Sequence, residues 1–517
     1  MRTPQRLAAA LVLCSLVTAA CGARLTSGQR TQALSYGGGG SSSNGSTGGG
    51  ENGTAGTGTT GGTGTTGTTG TTGTTGPIGT TGTTGTTGTT GTTSSATGGT
   101  TGVGANTDWT KAPAGGNGGA TDVGVTATSI TVANVSDVSG AVPGLFEDAR
   151  FAVQAYFKYF SARYGTIYGR KVNVLALDSQ LDSGANRSAS IQACDESFSG
   201  VGSVSAFDQG GAPVIAGCKS KGGLYPDLRG LATTNQMQAV SNVYPVNAAG
   251  TGGTRSLGQF GWAAATYPDA VKKAAYVYSD GEVTRQLEAQ DAEGTHAALG
   301  YNWVAEIPVA TTETNYGPAA QQIKSAGAQY VYFVGAYQQA ASLARSMKSL
   351  GWTPKVYQPT VTAYTPNFIQ QAGDALSGDY LHIAVSSSLN EEMAGNPELQ
   401  LYAQWLQQVK PGALPTNIGM FSWAAAALWV QKMIEVGPRP TRGALLAKIA
   451  QVTKYTGNGL FPGQDVGGRH LGDCVNVVRV VGGKFVRFLP AAPHTFRCGV
   501  DGLYNTKTHK REKAAPG

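Results

Sequence analysis

No apolar run in this sequence reaches the roughly 20 residues that a membrane-spanning helix needs. The candidate near the start, residues 7–20, is shorter, follows a basic start and ends in small residues. This combination is typical of an export signal, so we expect residues 1–20 to be the signal peptide of an exported protein. A later apolar stretch, residues 421–434, is interrupted by polar side chains and predicts a core helix.

The motifs of common enzyme, metal and nucleotide sites are missing as well. The five histidines have no pair at metal-ligand spacing. There is neither a Gly-x-Ser-x-Gly elbow nor a glycine-lysine phosphate loop. The net charge is +7, yet no basic stripe is interleaved with aromatic residues, which argues against a nucleic-acid partner. We therefore expect no enzyme, no cofactor and no metal. A secreted hydrolase is the remaining enzymatic alternative, because catalytic triads are not visible in sequence order.

Apolar side chains are nearly absent from residues 37–104, which are Gly, Ser and Thr with a recurring Thr-Thr-Gly triplet. Without such side chains nothing offsets the entropy of ordering the chain. Glycine at every third position is shared with collagen, but collagen needs abundant proline and only Pro77 interrupts this run. We expect a flexible tether over residues 21–121, a folded region over 122–503, and a basic disordered tail over 504–517.

The six cysteines indicate the compartment. Cys14 lies in the expected signal, and Cys21 follows residues 18–20 (TAA), which resemble the lipobox of bacterial lipoproteins, so we expect Cys21 to be lipidated. The alternative is simple secretion with Cys21 left as an odd thiol. The four remaining cysteines are an even number, as expected for disulfides in an oxidising compartment. Of the three pairings that four cysteines allow, sequence order favours Cys194–Cys218 and Cys474–Cys498.

Strand and helix patterns alternate along the folded region. Strands are predicted over residues 130–135, 171–178, 213–217, 274–278, 303–309 and 330–334, with a Gly-Gly hairpin between 475–481 and 484–488. Helices are predicted over residues 145–164, 185–198, 257–265, 283–299, 316–326 and 338–350. This alternation is typical of parallel sheets with helices on both faces. The region exceeds the roughly 250–300 residues of a single core, so we expect two α/β lobes.

The first predicted strand runs into a small polar loop, residues 136–140 (SDVSG). Loops at the carboxyl ends of parallel strands are where open α/β sheets bind ligands. We therefore expect this loop to form part of a small-molecule cleft.

Several segments, in this order, resemble one family. They are residues 124–132 (GVTATSITV), 137–140 (DVSG), 168–174 (YGRKVNV), 204–208 (VSAFD), 210–214 (GGAPV), 372–378 (AGDALSG), 459–462 (GLFP), 470–474 (HLGDC) and 483–486 (GKFV). Together they resemble type I periplasmic substrate-binding proteins of the leucine-binding type. That family serves ABC importers for branched-chain amino acids and related solutes.

The resemblance implies two doubly wound, three-layer lobes joined by a three-crossing hinge. Carried onto this chain, one lobe would hold residues 122–255 and 386–455, and the other residues 256–385 and 456–503. A solute would be enclosed between the lobes, and an ABC permease would respond to closure.

By position, the resemblance also implies ligand contacts at strand-end loops: Ser139, Ser205, Ala206, Phe207, Thr233, Asp280, Tyr337 and Thr360. The alternatives are a turn contact for Ser139, core packing for Phe207 and Tyr337, and a solvated loop for Asp280. Members specific for α-amino acids hold the ligand ammonium with an acidic residue in the segment aligned with 358–362. Thr360 stands near that place and is neutral, which argues against an α-amino-acid ligand.

The sequence therefore predicts a membrane-tethered, extracytoplasmic solute-binding receptor of an ABC importer, lipid-anchored at the outer face of a bacterial cell membrane. Its expected ligand is a small polar or amphipathic solute, such as an amino acid, an amide or a related compound. The alternative is the same fold used as a sensor or structural lipoprotein without transport.

Overall fold

The computed structural model describes residues 108–247 and 252–515. The expected signal peptide, Cys21 and most of the expected tether lie outside these residues. Residues 108–121, which we expected to end the tether, instead pack onto the fold. The ring of Trp109 stacks on Phe160 with 6.1 Å between centroids, and the Asn117 amide donates to the carbonyls of Ala127 and Tyr168. Trp109 supplies apolar surface that the Thr-Thr-Gly repeats lack, so the fold begins before residue 122.

The strands, in chain order, are β1 Ser129–Ser136, β2 Lys171–Asp178, β3 Ser199–Val201, β4 Lys219–Ser220, β5 Gly223–Leu224, β6 Asp227–Leu228, β7 Thr254–Ser256, β8 Ala274–Asp280, β9 Trp303–Ala310, β10 Tyr330–Val334, β11 Val356–Pro359, β12 His382–Val385, β13 Asn476–Val481, β14 Lys484–Leu489, β15 Leu503–Asn505 and β16 Lys510–Glu512. The two largest sheets have the orders β2-β1-β3-β6 and β11-β10-β8-β9. All of their pairings are parallel, as the alternation of strand and helix predicted.

The helices are α1 Glu147–Tyr164, α2 Ser183–Glu196, α3 Ala212–Gly217, α4 Asn235–Gln238, α5 Gly258–Thr266, α6 Glu282–Leu299, α7 Gly317–Ser325, α8 Tyr337–Ser349, α9 Pro366–Ala372, α10 Pro397–Leu406, α11 Asn417–Val436 and α12 Arg442–Ile449. The predicted strand over residues 213–217 is wrong, because this stretch lies in α3. Pro213 occupies the first turn of α3, where its missing N–H has no helical partner in any case. A short apolar run of this kind has too few residues to show a helical period.

The first lobe is built on the sheet β2-β1-β3-β6. Alternate residues of β1 enter two cores: Ile130 and Val132 pack with α1, α10 and α11, whereas Ala133 and Val135 pack with α2 and α3. The sheet is therefore covered by helices on both faces, as its parallel strands require. Leu460, Phe461 and Val466 also lie in the first of these cores. The chain therefore still belongs to the first lobe beyond residue 456, where we expected it to pass into the second lobe.

The second lobe is built on the sheet β11-β10-β8-β9. Val331 and Phe333 of β10 pack with α7, α8 and α9, whereas Tyr330 and Tyr332 pack with α5 and α6. The antiparallel sheet β12-β13-β14 adjoins it through a bridge between Tyr357 and Leu381. The predicted hairpin of β13 and β14 is confirmed. Both turn glycines have positive φ, 58° at Gly482 and 73° at Gly483, as a tight hairpin turn requires.

The C-terminal segment forms a hairpin where we expected a disordered tail. Strand β15 pairs antiparallel with β7 and with β16. The Tyr504 side chain is buried, and its hydroxyl donates to Glu293 of α6 at 3.0 Å. The expectation of disorder over residues 504–517 is therefore wrong for the described part of that range. Its basic side chains are exposed, but its backbone bonds to a strand almost 250 residues earlier in the chain.

Three fully buried charged residues hold the loop that follows β6. Arg229 places Nη1 3.0 Å from Oδ2 of Asp208 and Nε 3.3 Å from Oδ2 of Asp227. Asp208 also accepts hydrogen bonds from the backbone of Thr233 and Thr234. Burial raises the pKa of both carboxyls, and Arg229 opposes that rise. The guanidinium therefore offsets part of the electrostatic cost of burying two acids at the edge of the first sheet.

Both expected disulfides, Cys194–Cys218 and Cys474–Cys498, are confirmed. Cys194 is half-buried in the last turn of α2, and Cys218 follows α3, so the first bridge ties two helices on one face of the first sheet. Each bridge closes a loop between residues 24 apart in sequence.

Replacing Cys194 and Cys218 together by alanine should lower the free energy of unfolding by about 3 kcal/mol, because an open loop of this length gains conformational entropy when unfolded. Chemical denaturation of the variant and of the wild type checks this value. Reducing agent should lower the stability of the wild type more than that of the variant, which keeps only the second bridge. Equal stability of the two proteins under oxidising conditions would contradict the prediction.

Replacing Arg229 by methionine should destabilise the fold by about 3–5 kcal/mol, because it leaves Asp208 and Asp227 buried without a counter-charge. The loss should be smaller at pH 5 than at pH 8, since unpaired buried carboxyls take up protons as the pH falls. The control is Arg285→Met, which removes an exposed ion pair with Asp280 and should leave stability unchanged. Denaturation at the two pH values measures both effects, and a loss that grows at low pH would be the opposite result.

Candidate ligand cleft

The carboxyl ends of the two parallel sheets face each other. The loop after β3 belongs to the first lobe, and the loop after β8 belongs to the second. A Cβ atom built on Gly281 would lie 3.5 Å from Cζ of Phe207, and the Gln209 amide nitrogen lies 3.4 Å from a carboxylate oxygen of Glu282. The lobes are thus in contact on this side of the cleft.

A cavity of about 620 Å³ opens between the lobes beside this contact. The first lobe contributes the start of α1 with the loop before it and the loop between α10 and α11: Pro143, Gly144, Leu145, Glu147, Asp148 and residues 410–418. The second lobe contributes the start of α8 and the segment around α9: Tyr337, Gln338, Val361, Thr362 and residues 364–367. This volume is within the range of small-molecule sites.

A buried carboxylate, Asp137, accepts the donors of the predicted Ser205–Phe207 turn. The Ser205 hydroxyl donates to Oδ1 of Asp137 at 3.1 Å, and the Ala206 N–H donates to Oδ2 at 2.7 Å. The same carboxylate accepts from the Ser179 hydroxyl at 2.6 Å and from the Leu181 N–H at 3.0 Å. Ser205 and Ala206 therefore serve to join three strand-end loops of the first lobe.

Ser139 is held in the same way by a second carboxylate. Its hydroxyl donates to Oδ2 of Asp178 at 2.6 Å, and its N–H lies 3.2 Å from the same atom. These hydrogen bonds act against the effect of burial and hold the pKa of Asp178 below its usual value. Next to it, Gly140 has a φ of +105°, and a Cβ atom there would meet the Gln180 carbonyl at 2.0 Å. The loop is thus tightly closed, which is the turn contact given as the alternative for Ser139.

The remaining predicted contacts are dispersed. The Thr233 N–H donates to Asp208, and its buried hydroxyl has no hydrogen-bond partner among the described residues. Asp280 forms an ion pair with Arg285 on α6, and the hydroxyl of Thr360 lies 3.3 Å from the Gly335 carbonyl. Of the eight predicted residues, Tyr337 lines the cavity. It stands in the first turn of α8, directly after the strand end at β10.

Several cavity residues were missed by sequence reasoning. The loop over residues 410–418 connects two helices and carries no strand-end signal, although its two prolines and one glycine mark it as a turn region. Tyr364 lines the cavity, and its hydroxyl donates to Glu391 at 2.6 Å. In the sequence, Asp148 looks like an ordinary acidic residue in the first turn of a helix, where the helix dipole favours a negative charge, so nothing marks it as part of a site.

Asp148 has a perturbed ionisation within the cavity wall. Burial raises the pKa of its carboxyl to about 6, although a hydrogen bond from the Thr416 hydroxyl acts in the opposite direction. Its neighbour Glu147 forms an ion pair with Lys410 across the loop, with 3.3 Å between nitrogen and oxygen. The described residues contain no cluster of three or more potential metal ligands, and none of their helices is long and apolar enough to cross a membrane.

Solved structures with similar folds are solute receptors. A leucine-binding protein from Thermotoga maritima is 17% identical, with a TM-score of 0.55 over 69% of this chain and 97% of its own. A fatty acid ABC transporter substrate-binding protein from Thermomonospora curvata is 16% identical, with a TM-score of 0.60 over 78% of this chain and 99% of its own. A solute-binding protein from R. palustris, solved with 4-hydroxybenzoate, is 17% identical, with a TM-score of 0.56 over 70% and 95%.

Among curated proteins none matches this chain. The family model described as periplasmic binding protein matches residues 129–484, which is more than half of the chain. Members of that family are extracytoplasmic receptors that bind small solutes and work with ABC permeases, and they are not enzymes. The two parallel sheets, the facing strand ends and this match lead to one conclusion: the chain belongs to the periplasmic binding protein family, and it is homologous to the solute-binding proteins of ABC transporters.

Proposed function

We propose that this protein is a membrane-tethered receptor that captures a small polar or amphipathic solute and delivers it to an ABC importer. The observation that carries the proposal is the cavity between the two lobes, whose walls come from both. A solute in this cavity would contact both lobes at once. It would therefore bind the closed arrangement better than an open one and shift the population toward closure.

The lining of the cavity supports a solute with both apolar and polar parts. Leu145, Val361 and Ile418 offer apolar surface, and Gln338 and Asn367 offer hydrogen-bonding side chains. The structural neighbours show the same breadth. A branched-chain amino acid transporter substrate-binding protein from Streptococcus pneumoniae is solved with isoleucine, the R. palustris protein with 4-hydroxybenzoate, and the Thermomonospora curvata protein is named for fatty acids. A cavity of mixed character is what such amphipathic solutes require.

The tether is the second part of the proposal. Cys21 follows a lipobox-like segment, and the low-complexity residues separate it from Trp109, where the chain joins the first lobe. A lipid on Cys21 would hold the receptor at the membrane while a long linker lets it reach a permease. A single acyl chain binds membranes only weakly, so stable retention needs the multiple chains of a lipoprotein.

Solute-driven closure can be measured by energy transfer between fluorophores on Ser188→Cys in α2 and Gln321→Cys in α7, two exposed positions on different lobes. A panel of amino acids, amides, ureas, amines and short organic acids should contain a compound that changes the transfer and returns chemically intact. At 100 times its Kd, that compound should add about 2.7 kcal/mol to the free energy of unfolding.

The matched variants for this experiment are Leu414→Trp, which fills the rim of the cavity, and Gln408→Trp, an exposed position outside it. The first should weaken binding of the active compound by about 10-fold or more, and the second should not change it. Turnover of the compound would instead indicate an enzyme. Normal uptake of the compound in cells that lack the protein would indicate a sensor.

Replacing Cys21 by alanine should release the protein from the membrane fraction, because the acyl chains that hold it there can no longer be attached. Fractionation of cells and mass spectrometry of the N-terminal peptide check this outcome. The control is the wild type, whose N-terminal peptide should carry the mass of the lipid. Retention of the alanine variant in the membrane would show that another segment anchors it.

A further inference from the structure

The charges that line the cavity do not balance. They are Glu147, Asp148 and Lys410. Lys410 is engaged by Glu147, and its Nζ also lies over the Phe151 ring at 4.8 Å. Asp148 forms no ion pair among the described residues, and Lys410 acts on both acids, so the three charges leave the cavity with a net charge of −1 when both acids are ionised.

The surroundings of Asp148 favour the binding of a cation. Burial raises the pKa of the Asp148 carboxyl to about 6, and a positive charge beside it would favour the ionised form. The groups that face it are Glu147 on its own helix, Lys410 and Thr416 on the adjoining loop, and Tyr402 on α10. Tyr402 is buried and stays protonated, because burial first and Asp148 second raise its pKa well above the usual value.

The second lobe contributes a matching acceptor. Oε1 of Gln338, in the first turn of α8, is buried and has no hydrogen-bond partner among the described residues. Gln338 lines the same cavity as Asp148. An unpartnered buried acceptor is costly, and a donor supplied by a ligand would satisfy it.

Several donors near the cavity are already engaged. The Ser139 and Ala206 N–H groups donate to Asp178 and Asp137. Phe207 closes the cleft against Gly281, and the one lysine of the cavity is paired. A ligand carboxylate in the cavity would thus lie near Asp148, and among the residues that line the cavity it would find no unpaired cation.

We propose that the cavity takes a solute bearing a basic nitrogen, an alkylamine or guanidine, which donates to the carboxylate of Asp148 on one lobe and to Oε1 of Gln338 on the other. This inference rests on the proposed function, because it names the solute class of the same cavity. A cation bridging the two acceptors joins the lobes, so recognition and closure are one event.

The experiment is a thermal-shift and calorimetric titration of the full-length protein with matched series. The probes are hexylamine, hexanol and hexanoate; phenethylamine and 3-phenylpropionate; and agmatine. We expect binding by amines or agmatine and none by the acids of the same skeleton. Between pH 7.5 and pH 5 the affinity for the amine should fall about 10-fold, since Asp148 is mostly protonated below its pKa of about 6.

Asp148→Asn and Gln338→Leu should each weaken amine binding by about 10-fold or more, because the first removes the negative charge that faces the cation and the second removes its acceptor on the other lobe. The control Asp374→Asn removes an exposed acid of the second lobe that is paired with Lys348 and does not line the cavity, and it should bind like the wild type. Circular dichroism confirms that each variant is folded. Two variants on different lobes keep the test valid if one of them is unstable.

Binding of the acids, unchanged amine affinity in both variants, or an amine series without any binding would overturn this inference. In each of these cases the proposed function stands if another compound of the broader panel drives closure. It fails if no compound of either panel changes the energy transfer between the lobes.

Discussion

The buried carboxylate of Asp137 determines how the binding edge of the first lobe is built. Its two oxygens accept from Ser179, Leu181, Ser205 and Ala206, which lie in the loops after β2 and β3. Its own carbonyl accepts from the Phe146 N–H at the start of α1. The carboxylate thus joins the carboxyl ends of three strands, and the backbone of the same residue holds the first helix; hydrogen bonds to a charged group are among the stronger ones.

This junction also affects which surface is left to contact the solute. In the loop region the donors of Ser139, Ser205 and Ala206 point to carboxylates of the same lobe. The two lobes meet there through Phe207, while the open volume lies toward α8, α9 and the loop before α11. The polar loops therefore make the first lobe rigid, and the cavity lies beside them. A rigid wall lowers the conformational entropy that a ligand must overcome on binding.

Sequence reasoning succeeded where the information is local. The apolar patterns of residues 171–178 and 330–334 coincide with β2 and β10 in full, and even the Gly-Gly turn was visible. It failed where partners are distant. Strand β15 is ordered by its pairing with β7. The Ser205 hydroxyl donates to Asp137, which lies 68 residues earlier in the chain. Tyr337 was found because it follows a strand end, whereas Asp148 and Gln338 became notable only through the burial that folding gives them.

The position of those two residues explains why a cleft of this type needs acceptors on both sides. A ligand that bonds to one lobe alone has equal affinity for the open and closed arrangements and shifts neither population. Asp148 and Gln338 stand in the first turns of α1 and α8, on opposite walls of one cavity. Among the described residues Asp148 accepts from Thr416 but forms no ion pair, and Oε1 of Gln338 has no hydrogen-bond partner. The unsatisfied groups disfavour the empty closed cleft, because burying them without partners costs free energy. A donor that reaches both removes that cost only when the lobes are together, and this difference makes closure depend on the solute.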